Sequence, residues 1–401
     1  MTAKKRKNPN NTKALKLAVI IIAAAVVIAL GVTLIKTVVN KKRSDKTVRV
    51  AFYGLSGEYC DILKEQIPVE EGINLVYEIL PEGIIDLGTV KDKYDLFFSW
   101  KGEVTEALEE ASEDIPAKIL EVIPSSLQNK KCVPVVLDNC ELAYSKSVVE
   151  KTGGNMPSNF PLFLKYISDS RSYVFSPFFC NGADDRVFTA FIGNIIEAIG
   201  GVKAYKMFVD EIRKGSDFDT IMDLELTDGQ LTLRKVLDSL KEWPDSGFTH
   251  PNWYSAYGND LLYFAQEDHV AVFYTYLHEH RKIQYDVISK FEAFIMPPAS
   301  STVEYGVMAP AVSVMLFSDN SNAKRYVQEL FTQEAQEELS TKTKLAPVHL
   351  RAQAYDKQAD DVRYWVAACP GGALPDLYLA AFQRKPAEFK EFTSKIRNYI
   401  K

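Results

Sequence analysis

A tryptophan flanked by polar side chains, Ser99-Trp100-Lys101, has the residue types needed to bind a small polar ligand. A sugar presents apolar C–H faces and hydroxyl-rich edges, so an indole ring beside a hydroxyl and an ammonium group would suit it. The tripeptide follows Tyr94-Asp95-Leu96-Phe97-Phe98, which has the pattern of a strand. The alternative interpretation is that Trp100 packs in a core.

A second polar feature, Asp138-Asn139, interrupts an apolar run that begins at Val133 and resumes at Leu142. The valines and leucines favour a strand, and Pro134 favours an edge or entry position in its sheet. Polar side chains within such a run need hydrogen-bonding partners. The pair therefore indicates a bend between two packed bodies, a ligand contact, or both.

Strand-like and helical segments alternate in the first part of the chain. Residues 47–52, 73–79 and 94–98 have strand patterns, and residues 59–66 have a helical one. This alternation predicts a mostly parallel sheet with helices on its faces, in which ligands bind at the carboxyl ends of strands. The candidate contacts at these strand ends are Tyr53, Gly54, Ser56, Ser99, Trp100 and Lys101.

Length and composition restrict the class of protein. A chain of 401 residues exceeds the size at which a single core keeps growing, which predicts two globular bodies. The net charge of −6 argues against nucleic acid as a partner. The 5 cysteines show neither CxxC nor metal-ligand spacing, and at least one must be unpaired. We interpret them as small buried hydrophobic residues.

The N-terminal segment differs from the rest of the chain. Residues 17–35 carry no charge and would form a helix about 28 Å long, enough to cross a bilayer. The basic residues 1–16 favour a cytoplasmic N-terminus, and residues 36–46 would be a linker. A cleaved signal peptide is the alternative, although its apolar region is usually shorter. We expect a transmembrane anchor in the cytoplasmic membrane, with the globular body on the extracytoplasmic side.

Several short motifs, taken in their order along the chain, resemble the extracellular solute-binding proteins of ABC importers, specifically the maltose-binding-like group. The stretch from Pro134 through Asp138 to Ala143-Tyr144-Ser145-Lys146 resembles the segment in which the chain of these proteins first crosses from one lobe to the other. The element Tyr94-Asp95-Leu96 before Trp100 resembles a ligand-contacting segment of sugar-binding members. Further matches are Asp319-Asn320-Ser321-Asn322-Ala323 and Leu345-Ala346-Pro347-Val348.

This resemblance implies an α/β, two-lobed fold of the periplasmic-binding-protein-like type II class, with mixed, mostly parallel sheets after one transmembrane helix. Lobe one would comprise residues 47–137 and 311–346, and lobe two residues 140–307 and 348–401. The chain would cross between them near residues 138, 309 and 347, so that the lobes could close on a ligand. The added candidate contacts are Asp138, Asn139, Phe178, Asn181, Asp184, Trp253, Tyr274 and Ala309. Asp184 is more simply the cap of the helix that follows it.

Binding without catalysis is the function that these features predict. The sequence has no GxSxG, HExxH, P-loop or suitable GxGxxG motif. The charges around His278-Glu279-His280 suggest a solvated turn rather than a metal site. We expect a receptor that captures a sugar or oligosaccharide and delivers it to the permease of an ABC importer, without cofactor or metal.

Two other functions remain open at this point. The first is a polyamine or cation receptor of the same fold, in which Asp138, Asp184 and Asp185 form a cage with aromatic side chains. The second is a scaffold or sensor partner in the cell envelope that transports nothing.

Overall fold

The structure is a computed structural model that describes residues 46–67, 72–83, 85–227 and 231–401. The predicted membrane segment at 17–35, and with it residues 1–16 and nearly all of the linker, lies outside the described residues.

Two separate sheets form the framework. The first contains β1 (Thr47–Tyr53), β2 (Asn74–Leu80), β3 (Leu96–Trp100), β4 (Cys132–Leu137), β10 (Ala311–Leu316) and β11 (Ala346–Pro347), in the order β11-β4-β10-β3-β1-β2. The second contains β5 (Cys140–Ser145), β6 (Ser176–Cys180), β7 (Val270–Tyr276) and β8 (Phe291–Phe294), in the order β6-β7-β5-β8. A short pair joins β9 (Val307–Met308) to β12 (Ala373–Leu374).

Helices surround both sheets. Those before residue 180 are α1 (Gly57–Glu65), α2 (Leu87–Lys93), α3 (Glu103–Leu108), α4 (Ala117–Leu120), α5 (Lys146–Lys151) and α6 (Phe160–Ser170). The middle ones are α7 (Asp185–Arg213), α8 (Phe218–Asp223), α9 (Leu233–Glu242), α10 (Gly258–Gln266), α11 (Leu277–His280) and α12 (Tyr285–Ile288). The last are α13 (Ser321–Leu330), α14 (Gln333–Thr343), α15 (Lys357–Ala368), α16 (Leu377–Ala381) and α17 (Pro386–Ile400). Short 3-10 turns lie at Glu109–Ala111, Ser125–Leu127 and Trp253–Ser255.

The sheets are mixed, and the prediction that they are mostly parallel was wrong. Within the first sheet β1 pairs in parallel with β2 and β3, but β10 runs antiparallel to both β3 and β4. In the second sheet β5 is antiparallel to β7 and β8, and only β6 and β7 are parallel. The reason is topological: β10 enters its sheet from the other lobe, so it runs against the strands beside it.

Two chain crossings connect the sheets side by side. Asp138-Asn139 links β4 to β5, and Ala309-Pro310 links β9 to β10. The two crossings are hydrogen-bonded, because the Asp138 N–H donates to the Pro310 carbonyl over 2.8 Å. Asp138-Asn139 therefore lies between a strand of the first sheet and a strand of the second.

Pro134 has a neighbouring strand on one side only, which agrees with the predicted edge or entry position. β11 pairs with Val136 and Leu137 but does not extend to Pro134. On the other side Pro134 lies opposite Ser313, where the register of β10 shifts between Val312 and Ser313. An open edge and an irregular register both accommodate a residue without an N–H.

The longest helix, α7, is the core of lobe two. Asp184 caps it by accepting hydrogen bonds from the N–H groups of Arg186 and Val187, which confirms the predicted cap. Gly201 interrupts the helix with a φ of 75°, a left-handed conformation that glycine adopts readily. Among the described residues α7 alone is long and apolar enough to cross a membrane, but most of its apolar stretch is buried inside the protein.

Candidate ligand-binding cleft

A cavity of about 450 Å³ lies between the two sheets and is lined from both. The first lobe contributes Gly54, Ser56, Glu58, Tyr59, Glu82, Trp100, Lys342, Thr343 and Lys344. The second contributes Arg186, His278, Arg281 and Lys282. The cavity is therefore placed where closure of two lobes would enclose a ligand.

The loops after β1 and β3 form one wall, as the strand-end rule predicts. Ser56 begins α1 by accepting a 3.3 Å hydrogen bond from the Tyr59 N–H. This cap directs the first turn of α1 so that the Tyr59 ring contacts Trp100 edge-on, with ring centroids 5.8 Å apart. Gly54, Ser56 and Trp100, three of the predicted contacts, are thus brought together at the cavity.

Arg186, in the first turn of α7, closes the deep end of the cavity. Its guanidinium lies 5.4 Å from the centre of the Trp100 ring and 5.2 Å from that of Tyr276. Its Nε donates a 2.8 Å hydrogen bond to Oδ2 of Asp376, a fully buried carboxylate that also accepts from the Tyr276 hydroxyl. Charge-assisted bonds of this kind are among the stronger contacts in proteins.

Trp100 does not present a free face for stacking in this conformation. Only 5% of its surface is exposed, because Arg186 covers one part of the ring and Tyr59 another. The indole reaches the cavity as part of its wall rather than as an open platform.

The C-terminal segment 376–383 fills the seam beside this cluster. The buried Gln383 donates to the Trp100 carbonyl over 3.2 Å and accepts from the Val104 N–H over 3.1 Å. Its own carbonyl accepts a 2.9 Å bond from the Tyr53 hydroxyl. Tyr53 and Ser99, both predicted as ligand contacts, are therefore fully buried, and the C-terminal segment 376–383 covers them. We call Trp100, Arg186, Asp376 and Gln383 the inner end of the cleft.

Asp138, which lies between β4 and β5, contacts a histidine that lines the cavity. Asp138 is fully buried and does not line the cavity, but its carboxylate accepts from the His278 N–H over 3.1 Å and contacts His278 Nδ1 at 2.6 Å. Burial lowers the pKa of His278, but the charge and hydrogen bond of Asp138 outweigh it and raise that pKa to about 9. His278 therefore carries a positive charge into the cavity at neutral pH.

The prediction of a solvated turn at 278–280 was wrong. These residues belong to α11, and the His280 ring is buried against the carboxylate of Glu141. Within the described ranges no group of three or more histidine, cysteine or acidic side chains is arranged to hold a metal ion.

The remaining predicted contacts lie away from the cavity. Phe178 and Trp253 are fully buried in lobe two, and Phe178 stacks on Phe191 at 4.6 Å. Tyr274 is also fully buried, and its hydroxyl accepts a 3.3 Å bond from Asn194. The predicted contacts that do not line the cavity are Asp138, described above, and Tyr53, Ser99, Lys101, Asn139, Phe178, Asn181, Asp184, Trp253, Tyr274 and Ala309.

Sequence reasoning missed most of the charged lining. The sequence contained one indication of Arg186. A cation in the first turn of a helix is repelled by the helix dipole, so its presence there suggests an anionic partner. The sequence contained no indication of Lys344, yet this residue adopts the left-handed conformation with a φ of 58° directly after α14. Such strained residues persist where the surrounding structure fixes them, frequently at binding sites. We call Lys282, Lys342, Thr343 and Lys344 the outer end of the cleft.

Comparison of the sequence with protein-family models and with curated proteins gives no match. Solved structures do match. The bacterial solute receptor AcbH, with a preference for β-D-galactopyranose, aligns with a TM-score of 0.68 and 12% identity over 88% of this chain and 92% of its own. The chain has the fold of bacterial solute-binding receptors.

Two further solute-binding structures support this fold. The MsmE binding protein of Bacillus subtilis aligns in an open conformation with a TM-score of 0.63 and 12% identity, over 88% of this chain and 96% of its own. Apo RafE of Streptococcus pneumoniae aligns with a TM-score of 0.61 and 14% identity over the same shares. These neighbours are receptors and binding proteins rather than enzymes, in agreement with the expectation for this chain.

Proposed function

We propose that this protein captures a saccharide between its two lobes and delivers it to an ABC importer. The observation that carries the proposal is the cavity of about 450 Å³ lined from both lobes, in a fold shared with sugar receptors. A volume of this size falls in the range of small-molecule sites. AcbH prefers a galactopyranose, and RafE has been solved with raffinose.

Closure of the lobes would couple binding to recognition by the permease. Ser56 and Tyr59 belong to the first lobe and His278 and Arg281 to the second, so one ligand that touches all four favours the closed form. We place the hinge at the crossings near 138, 309 and 347, with lobe one at 47–137 and 311–346 and lobe two at 140–307 and 348–401. In this proposal residues 17–35 hold the body at the outer face of the cytoplasmic membrane.

The polyamine or cation receptor loses support from the contacts of its three proposed carboxylates. Asp138 is bonded to His278, and Asp184 caps α7. Asp185 forms a 2.5 Å ion pair with Arg397. None of the three carboxylates lines the cavity, so they do not form a cage there.

Two threonines on one helix provide a matched test. Thr343 lines the cavity, whereas the exposed Thr341 does not, and both hydroxyls donate to a carbonyl four residues earlier, over 2.7 and 2.9 Å. Thr343→Trp would fill the cavity, and Thr341→Trp would place the same ring in solvent. Calorimetry of the wild type against neutral and acidic mono- and oligosaccharides should find at least one that binds.

Binding of that saccharide should weaken at least about tenfold in Thr343→Trp and stay unchanged in Thr341→Trp. Absence of binding across the panel, or an equal affinity in both variants, would reject the proposed site.

A further inference from the structure

The cavity lining carries a charge opposite to that of the whole chain. The chain has 53 acidic and 47 basic residues, yet the cavity is lined by more cations than carboxylates. The cations are Arg186, His278, Arg281, Lys282, Lys342 and Lys344, and the carboxylates are Glu58 and Glu82. A low-dielectric cleft lined by one sign of charge concentrates ligands of the other sign.

A second cavity extends this surface. Its volume is about 830 Å³, and it shares Arg281 and Lys344 with the first, so the two lie on either side of these side chains. It adds Lys146 and Lys357 against a single carboxylate, that of Asp356. The basic lining therefore continues on both sides of Arg281 and Lys344, and we call the two cavities together the groove.

Most of these cations form ion pairs with carboxylates that do not line either cavity and would not contact the ligand. Lys282 pairs with Glu279 at 2.6 Å, and Lys342 pairs with Glu338 at 2.7 Å and with Glu65 at 2.9 Å; none of these carboxylates lines either cavity. Exposed ion pairs contribute little net energy, so these ammonium groups remain able to bind an anion.

Lys344 has no such partner. It forms no ion pair with any residue that the structure describes, and it is exposed where the two cavities meet. Its left-handed backbone, with φ 58° and ψ 20°, is one that glycine or asparagine adopts more readily. The Lys344 ammonium can therefore bind a ligand anion without breaking an ion pair with any residue that the structure describes.

Exposed tyrosines lie beside the same cations. The Tyr355 ring is 46% exposed and stands 5.6 Å from the Arg281 guanidinium. Tyr285 lines the second cavity and is 83% exposed. Aromatic rings beside cations suit a ligand that has both C–H faces and anionic groups.

We propose that the ligand of this cleft is an acidic oligosaccharide, whose carboxylate or sulfate groups bind to Arg281, Lys342 and Lys344. This inference rests on the proposed function, because it names the chemical class of the saccharide that the same cleft captures. Arg281 lines both cavities, and its two hydrogen bonds to Asp356 fix the orientation of its guanidinium.

The test compares acidic oligosaccharides with neutral forms of the same skeleton. Calorimetry with trigalacturonate and its methyl ester examines carboxylates, and a sulfated galactose disaccharide with its desulfated form examines sulfate. Neutral malto- and raffinose-series sugars complete the panel. At least one acidic member should bind about tenfold or more tightly than its neutral form and weaken as sodium chloride rises from about 20 to about 200 mM.

Three variants assign the effect to the groove. Lys344→Gln removes a charge without leaving a carboxylate unpaired and should weaken acidic binding about fivefold. Glu58→Gln removes a repulsive charge from the lining and should strengthen it. Lys206→Gln changes an exposed lysine that lines neither cavity and should have no effect.

The outcomes separate the two proposals. Equal binding of neutral and acidic forms, or acidic binding unaffected by Lys344→Gln, would overturn the inference and leave saccharide capture intact. Silence of every saccharide, neutral and acidic, would overturn both.

Discussion

The inner and outer ends of the cleft use similar cations for different purposes. At the inner end Arg186 lies against aromatic rings and the fully buried Asp376. At the outer end the Lys282 side chain is 67% exposed, and Lys344 pairs with no described residue. A cation that neutralises a buried carboxylate is part of the fold, whereas a solvated cation without a partner is available to a ligand.

The strongest test of this comparison is the loss of one cation from each end. Arg186→Ala leaves Asp376 buried without its cation and should lower the free energy of unfolding by about 3 kcal/mol. Lys282→Ala breaks only an exposed pair with Glu279 and should change it by less than about 0.5 kcal/mol. Urea unfolding followed by circular dichroism measures both.

The double variant Arg186→Ala/Asp376→Ala should be more stable than the sum of the two single changes implies, because the uncompensated carboxylate is gone. Equal losses for Arg186→Ala and Lys282→Ala would remove the distinction between the two ends.

The next largest change in the free energy of unfolding is expected where the C-terminal segment packs against the first lobe. A Cβ at Gly102 would lie 2.2 Å from the Leu379 carbonyl oxygen, so Gly102→Ala must displace segment 376–383. We expect a loss of about 2 kcal/mol in the free energy of unfolding. Gly57→Ala, in the same lobe, has no atom within 4 Å of its added Cβ and should be neutral or slightly stabilising. Similar values for both would mean that the segment is loosely held.

His278, between the two ends, predicts a pH dependence. Its pKa of about 9 lies above the value of about 6.5 expected in the unfolded chain. The protonated ring therefore stabilises the fold fully below pH 6.5, and this contribution is lost as the pH rises through 9. Allowing for solvent at the partly exposed ring, we expect a loss of about 1 kcal/mol between pH 6.5 and 9.5.

The free energy of unfolding should be measured across this pH range for the wild type, His278→Gln and Asp138→Asn. The decline attributed to His278 should disappear in the first variant and shrink in the second. An identical slope in all three would assign the pH dependence to other groups.

The fold was largely predictable because its signals are local. The apolar run ending at Leu137 and the polar pair that follows it identified the crossing between the sheets. The Asp184 cap and the break at Gly201 follow from side-chain and backbone preferences that act within one turn. The direction of the strands was harder to predict from the sequence, since the orientation of β10 depends on the lobe from which the chain enters its sheet.

The site was only partly predictable, because it is assembled from distant segments. Gly54, Ser56 and Trp100 follow strands of one sheet and could be located by that rule. Phe178 and Trp253 were chosen as aromatic residues, but aromatic type alone does not separate a cleft wall from a core, and both are buried. Asp376 and Gln383 meet Arg186 and Trp100 only after folding, so no spacing in the sequence joins them.

The five free cysteines are all buried, so the rate at which a thiol reagent modifies them can report how often the protein opens locally. Burial raises the pKa of Cys140, which adjoins the hinge pair, so its thiol resists modification while the surrounding strands stay in place. A thiol reagent can reach it only during a transient opening, and its labelling rate reports how often that opening occurs. The rate of this opening can thus be compared with and without added saccharide in the native chain, without introducing a cysteine by substitution.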